Sequence, residues 1–165
     1  MAKTGERKAQ ILQTLAGMLE QPKGERITTA LLAARLEVSE AALYRHFASK
    51  AQMYEGLIEF IEQTLFSLVN KIQAEEKDAL RQIETTAVTL LGFAQKNPGM
   101  TRVLIGDALV NEDERLLVRV NQLHDRLEAS LRQSARLAIG AGQLPADWDA
   151  GAYANALLAL SLIHI

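Results

Sequence analysis

The sequence predicts an all-α protein, a small three-helix head followed by a helical-bundle body. Apolar residues recur at the three-to-four spacing of a helix face along nearly the whole chain. Valine and isoleucine never form the alternating run of a half-buried strand, and only three prolines interrupt 165 residues. The composition, 48% hydrophobic and 23% charged, is that of a folded domain rather than a disordered chain.

The first helix is expected over about residues 7–19, where Ile11, Leu12, Leu15, Ala16, Met18 and Leu19 form one packed face. Pro22, Lys23 and Gly24 end it. Two short helices follow at about 29–36 and 40–47. A long helix begins near Ser49, and Met53, Leu57, Ile58, Ile61, Leu65, Leu68 and Ile72 sustain its apolar stripe. Another covers about 79–95, after which Asn97-Pro98-Gly99 reads as a turn. Helical patterning resumes through Leu109. A long amphipathic helix over 112–139 carries Leu116, Val120, Leu123, Leu127, Leu131 and Leu137, and Gly140-Ala141-Gly142 closes it. A last helix starts near Asp147 or Asp149, beside Trp148. The expected domains are a head over 1–50 and a body over 51–165. The body is expected to be incomplete at its C-terminus, because Leu160-Ser-Leu-Ile-His-Ile165 reads as a translated sequencing adapter.

Charge is divided unevenly. Residues 1–50 hold eight Lys/Arg and five Asp/Glu; residues 51–165 hold ten and fifteen. A basic head on an acidic body suits a protein that offers one end to a polyanion. The absence of cysteine excludes disulfides, thiolate metal sites and cysteine nucleophiles. His46, His124 and His164 belong to no His-x-x-x-His pair, acidic ligand cluster or Ser-His-Asp order. No catalytic residue, metal or cofactor is therefore expected. Glu75, Glu76, Asp78, Glu112, Asp113 and Glu114 read as solvated helix-end charges. The polar start, Met1 to Gln10, lacks the apolar core of a secretory signal, and no apolar run is long enough for a membrane span. A cytoplasmic location without a membrane partner follows as an expectation.

The informative stretch runs from Arg26 to Lys50. Two short helices joined by a tight turn must cross closely, which needs a small residue at the crossing, Ala33 or Ala34. Leu32, Leu36, Val38, Leu43 and Phe47 are spaced to close the corner. Thr28 or Thr29 caps the first helix and Ser39 the second, leaving N–H groups that suit phosphates. With Leu43 and Phe47 inward, Glu40, Ala41, Tyr44 and Arg45 face out. Small residues at the start of such a helix let it approach base edges in the major groove. Ala41 and Ala42 are candidates for thymine methyls, and Arg45 for a guanine or a phosphate. Tyr44, His46 and Lys50 suit phosphates, which position the head without reading sequence.

Val38-Ser-Glu-Ala-Ala-Leu-Tyr-Arg-His-Phe47 with Ser49-Lys50 resembles the hallmark of the TetR family, and residues 7–72 fit its N-terminal helices. Glu37 departs from it, since that turn usually holds glycine; a non-glycine residue at positive φ costs roughly 1 kcal/mol. Further blocks resemble the nucleoid occlusion branch of that family: Arg26-Ile-Thr-Thr, Leu57-Ile-Glu-Phe-Ile-Glu62, Leu90 to Gly99 with Thr101-Arg102, and Arg119-Val-Asn-Gln-Leu123. That resemblance implies a nucleoid-associated protein that binds palindromic sites on double-stranded DNA. Bound there, it antagonises the tubulin-like division protein FtsZ. It also implies a homodimer built by the last two long helices of a full-length chain, so this chain is expected to expose an apolar patch around Tyr153, Leu157 and Leu158 and to dimerise weakly. Phe60, Gly92, Lys96 and Asn97 are the candidates for FtsZ contact. Gly92 costs a helix roughly 1 kcal/mol relative to alanine, and close helix packing or a partner's approach would each account for it. The alternative function is a ligand-responsive TetR-family repressor with an apolar cavity among its body helices.

Overall fold

A computed structural model describes residues 4–21 and 27–163. The helices are α1 (Thr4–Leu19), α2 (Thr29–Arg35), α3 (Glu40–Tyr44), α4 (Lys50–Glu75), α5 (Ala79–Lys96), α6 (Pro98–Leu104), α7 (Glu114–Gly140) and α8 (Ala150–Ile163), with a 3-10 turn at Asp107–Leu109. No strand occurs among the described residues. The expected stop at Pro22-Lys23-Gly24 and the histidine His164 lie outside them.

Two compact units emerge. The first comprises the described residues of Met1–Ile61 and Asn97–Val120, the second those of Glu62–Lys96 and Asn121–Ile165. The first unit joins the head helices to α6 and the start of α7, although residues 62–96 intervene in the chain. Its core uses residues of the predicted stripes, Ile11, Leu15 and Leu19 of α1, Met53, Leu57 and Ile58 of α4, and Leu116 and Val120, and adds Tyr54 and Val103; all are buried.

The expected turn at 97–99 is instead the start of α6. Asn97 precedes the helix, and Pro98 takes the position where a missing N–H costs nothing. Gly99 is buried, and its role is close approach: a Cβ there would lie 2.0 Å from the carbonyl oxygen of Ala16. The lack of a side chain lets α6 sit directly on the α1 backbone. Arg102, one turn later, donates to the carbonyls of Leu19 at 3.0 Å and Gln21 at 3.2 Å, so it satisfies carbonyls at the end of α1.

The second unit is organised around a buried polar residue. The Gln82 amide of α5 donates to the Glu76 carbonyl at 2.8 Å and the Gln73 carbonyl at 3.4 Å, and accepts from the Ser134 hydroxyl at 3.0 Å. It therefore caps the C-terminal end of α4 and links it to α7. Leu65, Phe66, Ile83, Leu90, Leu123, Leu127 and Leu131 are buried in the same unit. α8 packs on α5 through Ala154, Leu158 and Ser161, which are buried.

Gly99→Ala forces a Cβ against backbone that has no rotamer to change. Overpacking of that kind should destabilise the fold by about 3 kcal/mol, read as a lowered midpoint in urea unfolding. An unchanged midpoint would mean that α6 does not sit this close to α1.

Candidate nucleic-acid interface

The helix-turn-helix is α2, a tight turn and α3. Thr28 is the cap of α2, its hydroxyl accepting from the Leu31 N–H at 3.1 Å. Ser39 does the same for α3 through the Ala42 N–H at 3.3 Å. Between the helices the backbone closes a Schellman motif, in which Val38 N–H donates to the Ala33 carbonyl at 3.0 Å and Glu37 N–H to that of Ala34 at 3.1 Å. Glu37 takes the left-handed conformation this demands, with φ 55°. The crossing uses Ala33, which is buried, whereas Ala34 is exposed. Leu32, Leu43 and Phe47 fill the corner, and Leu36 and Val38 are half-buried beside them.

The recognition helix is shorter than its apolar spacing suggested. It ends at Tyr44, and Arg45, His46 and Phe47 form the turn into α4. The break arises because α4 is capped independently. Ser49 Oγ accepts from the Gln52 N–H at 3.1 Å, and Gln52 reaches back to accept from the Ala48 N–H at 2.9 Å.

Thr28, Ser39, Glu40, Ala41, Tyr44 and Arg45 are exposed, and Thr29 and Ala42 are half-buried. They lie on α2, α3 and the residues flanking them. Thr29 is not the cap; its hydroxyl donates to Glu40 Oε2 at 2.6 Å and accepts from the Tyr44 hydroxyl at 3.4 Å. The chain Tyr44–Thr29–Glu40 thus ties α2 to α3 across the outer face. His46 has left the helix. It is half-buried, its Nδ1 is enclosed without a hydrogen-bond partner, and it lines an open cavity of about 350 Å³ with Lys8, Gln52 and Glu55. Lys50, read as suited to a phosphate contact, has its Nζ 2.5 Å from Glu112 Oε1.

Four of the charges read as solvated are engaged: Glu76 accepts from the Asp78 N–H at 2.9 Å, Asp78 from the Arg81 N–H at 3.0 Å, and Glu112 and Asp113 as follows. Glu112 is the partner of Lys50. Asp113 accepts from the Arg115 N–H at 3.0 Å, and the Arg115 guanidinium holds its carboxyl down to about 2. Nothing in the local sequence marks Glu112, because its partner lies 62 residues away.

The remaining candidates divide between the units. Phe60 (44% exposed) and Asn97 (half-buried) lie in the first unit; Gly92 (half-buried) and Lys96 (exposed) lie in the second. A Cβ on Gly92 would meet nothing within 4 Å. Close helix packing is therefore not its reason.

Among the described residues no cluster of His, Cys, Asp and Glu is placed to hold a metal ion, and no helix is long and apolar enough to cross a membrane.

Residues 24–57 match the model of the bacterial regulatory proteins of the tetR family, and residues 77–161 match the SlmA-like tetracyclin repressor-like C-terminal domain. Solved structures agree in fold. A TetR-family transcriptional regulator from Agrobacterium tumefaciens superposes with a TM-score of 0.81 at 18% identity, covering 95% of this chain and 84% of that one. The ketosteroid regulator KstR2 of Mycobacterium tuberculosis gives 0.79 at 15% identity, covering 95% and 80%. Fold and head together define a DNA-binding regulator of the TetR type, not an enzyme.

Sequence similarity reaches further. The chain is 60% identical over 134 residues to the nucleoid occlusion factor SlmA of Alteromonas mediterranea, covering 81% of this chain and 69% of that one. It is 59% identical to that of Vibrio cholerae over 79% and 67%, and 52% identical to that of Shewanella pealeana over 94% and 79%. The chain belongs to the SlmA family of nucleoid occlusion factors.

The strained turn makes a stability test. Glu37→Gly relieves a left-handed residue at some cost in unfolded-chain entropy, and should stabilise the fold by about 0.5–1 kcal/mol. A lowered thermal midpoint would argue against the left-handed conformation at this position.

Proposed function

We propose that this chain docks on palindromic duplex DNA as a homodimer at the nucleoid, within the cytoplasm, and that in this state it antagonises FtsZ. The observation that carries the DNA half is the capped start of α3, which presents exposed Glu40, Ala41, Tyr44 and Arg45. Small side chains there allow entry to a major groove; Ala41 and Ala42 suit thymine methyls and Arg45 a guanine or phosphate. Thr28, Ser39 and Tyr44 suit the flanking phosphates, with Thr29 and Glu40 holding Tyr44 in place. A palindrome needs two heads about 34–36 Å apart, hence a symmetric dimer.

The FtsZ half rests on the SlmA resemblance and on Gly92. A helical glycine with open space where its side chain would be gains nothing from packing within its own unit. A partner's backbone pressed against it accounts for the residue. Phe60, which is 44% exposed, Lys96 and Asn97 are the further candidates for FtsZ contact. The repressor alternative draws no support from the cavity of about 370 Å³ beside Tyr54, which is open and lined by Arg102, Asp107 and Glu112 as well as apolar groups.

Cosedimentation of FtsZ polymers with the protein, with and without duplex DNA, tests both halves. Tyr44→Ala should weaken binding to unrelated duplexes alike, by about tenfold, and should lower FtsZ antagonism only through lost DNA occupancy. Lys96→Glu, Asn97→Ala and Gly92→Ala should lower FtsZ antagonism at unchanged DNA affinity. Antagonism that survives all three body substitutions would place the FtsZ site elsewhere.

The dimer reading makes its own prediction. Leu158 is buried, and Tyr153 and Leu157 are half-buried, so the expected patch is not formed by those residues. The reason is that α5 already covers that side of α8. The exposed stripe is Ala152, Ala156 and Leu160, one turn apart on the opposite side, with Ala159 beside it. This chain should associate weakly through it, and Ala156→Asp should abolish that association in sedimentation equilibrium. A tight dimer insensitive to Ala156→Asp would move the interface off α8.

A further inference from the structure

Lys50 begins α4, immediately after the turn that follows the recognition helix, yet its charge is drawn back into the protein. Its Nζ is 2.5 Å from Glu112 Oε1, and the two side chains are only 22% and 11% exposed. The Tyr54 ring lies beneath the same ammonium, 5.6 Å to its centroid. Burial, followed by the Glu112 charge, pushes the Tyr54 hydroxyl up to about 12, so it stays neutral. Arg102, the other cation near this spot, is engaged by Asp107 at 2.6 Å and by two carbonyls of the α1 end.

Glu112 is held firmly for a residue outside any helix. Asn111 before it is left-handed at φ 66°, and the Glu112 N–H donates to the Leu109 carbonyl at 3.0 Å. Asp113 after it accepts from the Arg115 N–H at 3.0 Å and from its guanidinium at 2.8 Å. The backbone that carries Glu112 is therefore anchored on both sides while its carboxylate reaches Lys50. A carboxylate and a phosphate offer an ammonium the same thing, a charge-assisted oxygen acceptor. The ammonium cannot give its full interaction to both when one is enclosed and the other arrives from solvent.

We propose that Glu112 is a built-in phosphate surrogate: it holds Lys50 while no DNA is bound, and a backbone phosphate displaces it, releasing the 110–113 turn at the start of α7. The inference rests on the reading that Lys50 meets a DNA phosphate. Glu112 acts through Lys50 and touches no DNA itself; it is a positioning residue. It lowers affinity for duplex by the strength of the pair, and it makes the turn before α7 respond to whether α4 carries a phosphate.

Anisotropy titration of a mixed-sequence duplex across a salt series separates the possibilities, because a lysine–phosphate contact is independent of sequence. Glu112→Gln should bind about three- to tenfold more tightly at low salt, with a salt dependence steeper by up to about one ion. In a Lys50→Ala background the same substitution should have no effect. In hydrogen exchange, amides 110–113 of the unaltered protein should lose protection when duplex is added, and those of Glu112→Gln should be unprotected from the start. Glu112→Asp keeps the charge but withdraws it by one methylene; it should tighten binding in the same direction, and it decides the matter if Glu112→Gln fails to fold. Tightening that persists in the Lys50→Ala background is a general effect of charge and overturns the surrogate role. So does unaltered or weaker binding by Glu112→Gln when Lys50→Ala alone weakens binding. If Lys50→Ala binds as the unaltered protein does, the phosphate reading of Lys50 falls, and the surrogate with it.

Discussion

Gly99 lies so close to the carbonyl of Ala16 that no other residue fits there without moving one of the two backbones. That approach draws residues from beyond α5 into the same unit as the helix-turn-helix. Once α6 is seated on α1, Arg102 reaches the open carbonyls of Leu19 and Gln21, and the chain returns through Asp107–Leu109 toward Glu112. The pairing of Glu112 with Lys50 depends on that return path. Without α6 and the return path, the Ala16 side of α1 would lose its cover and Lys50 its partner.

The recognition face is held by local rules that act independently of one another. Thr28, Ser39 and Ser49 each supply an acceptor to a helix start, a contribution of about 1 kcal/mol apiece. The Schellman closure between α2 and α3 sets their angle, and Ala33 sets their distance. The outward side chains are then tethered to each other, Tyr44 to Thr29 and Thr29 to Glu40. A tethered face loses less side-chain freedom when it meets a rigid partner than a free one does.

The second unit solves a different problem. Its helices need a polar residue in the core because the last carbonyls of α4 face inward. Gln82 answers with both halves of its amide, and Ser134 completes it. Around it Glu62 pairs with Arg126, whose guanidinium lies over Phe66 at 4.1 Å. α8 is apolar apart from Asn155, which donates to Glu128, and Ser161, so covering one side with α5 leaves the stripe Ala152, Ala156, Leu160 outward.

Periodicity and capping residues alone determined the helical class and most of the helix limits. The helix-turn-helix was legible for the same reason, since Ser39, Leu43 and Phe47 act within a few residues of one another. So was the outward placement of Tyr44 and Arg45. Local signals misled where a residue's purpose lay far away in sequence. Pro98-Gly99 has the composition of a turn, but α1 makes it a helix start. Glu112 has the composition of a solvated helix end, but Lys50 makes it half of an enclosed pair. His46 and Phe47 continue the spacing of α3, but the independent cap of α4 breaks the helix before them. Tertiary structure decided each of these, because the free energy at stake comes from contacts between segments that approach only after the chain has folded.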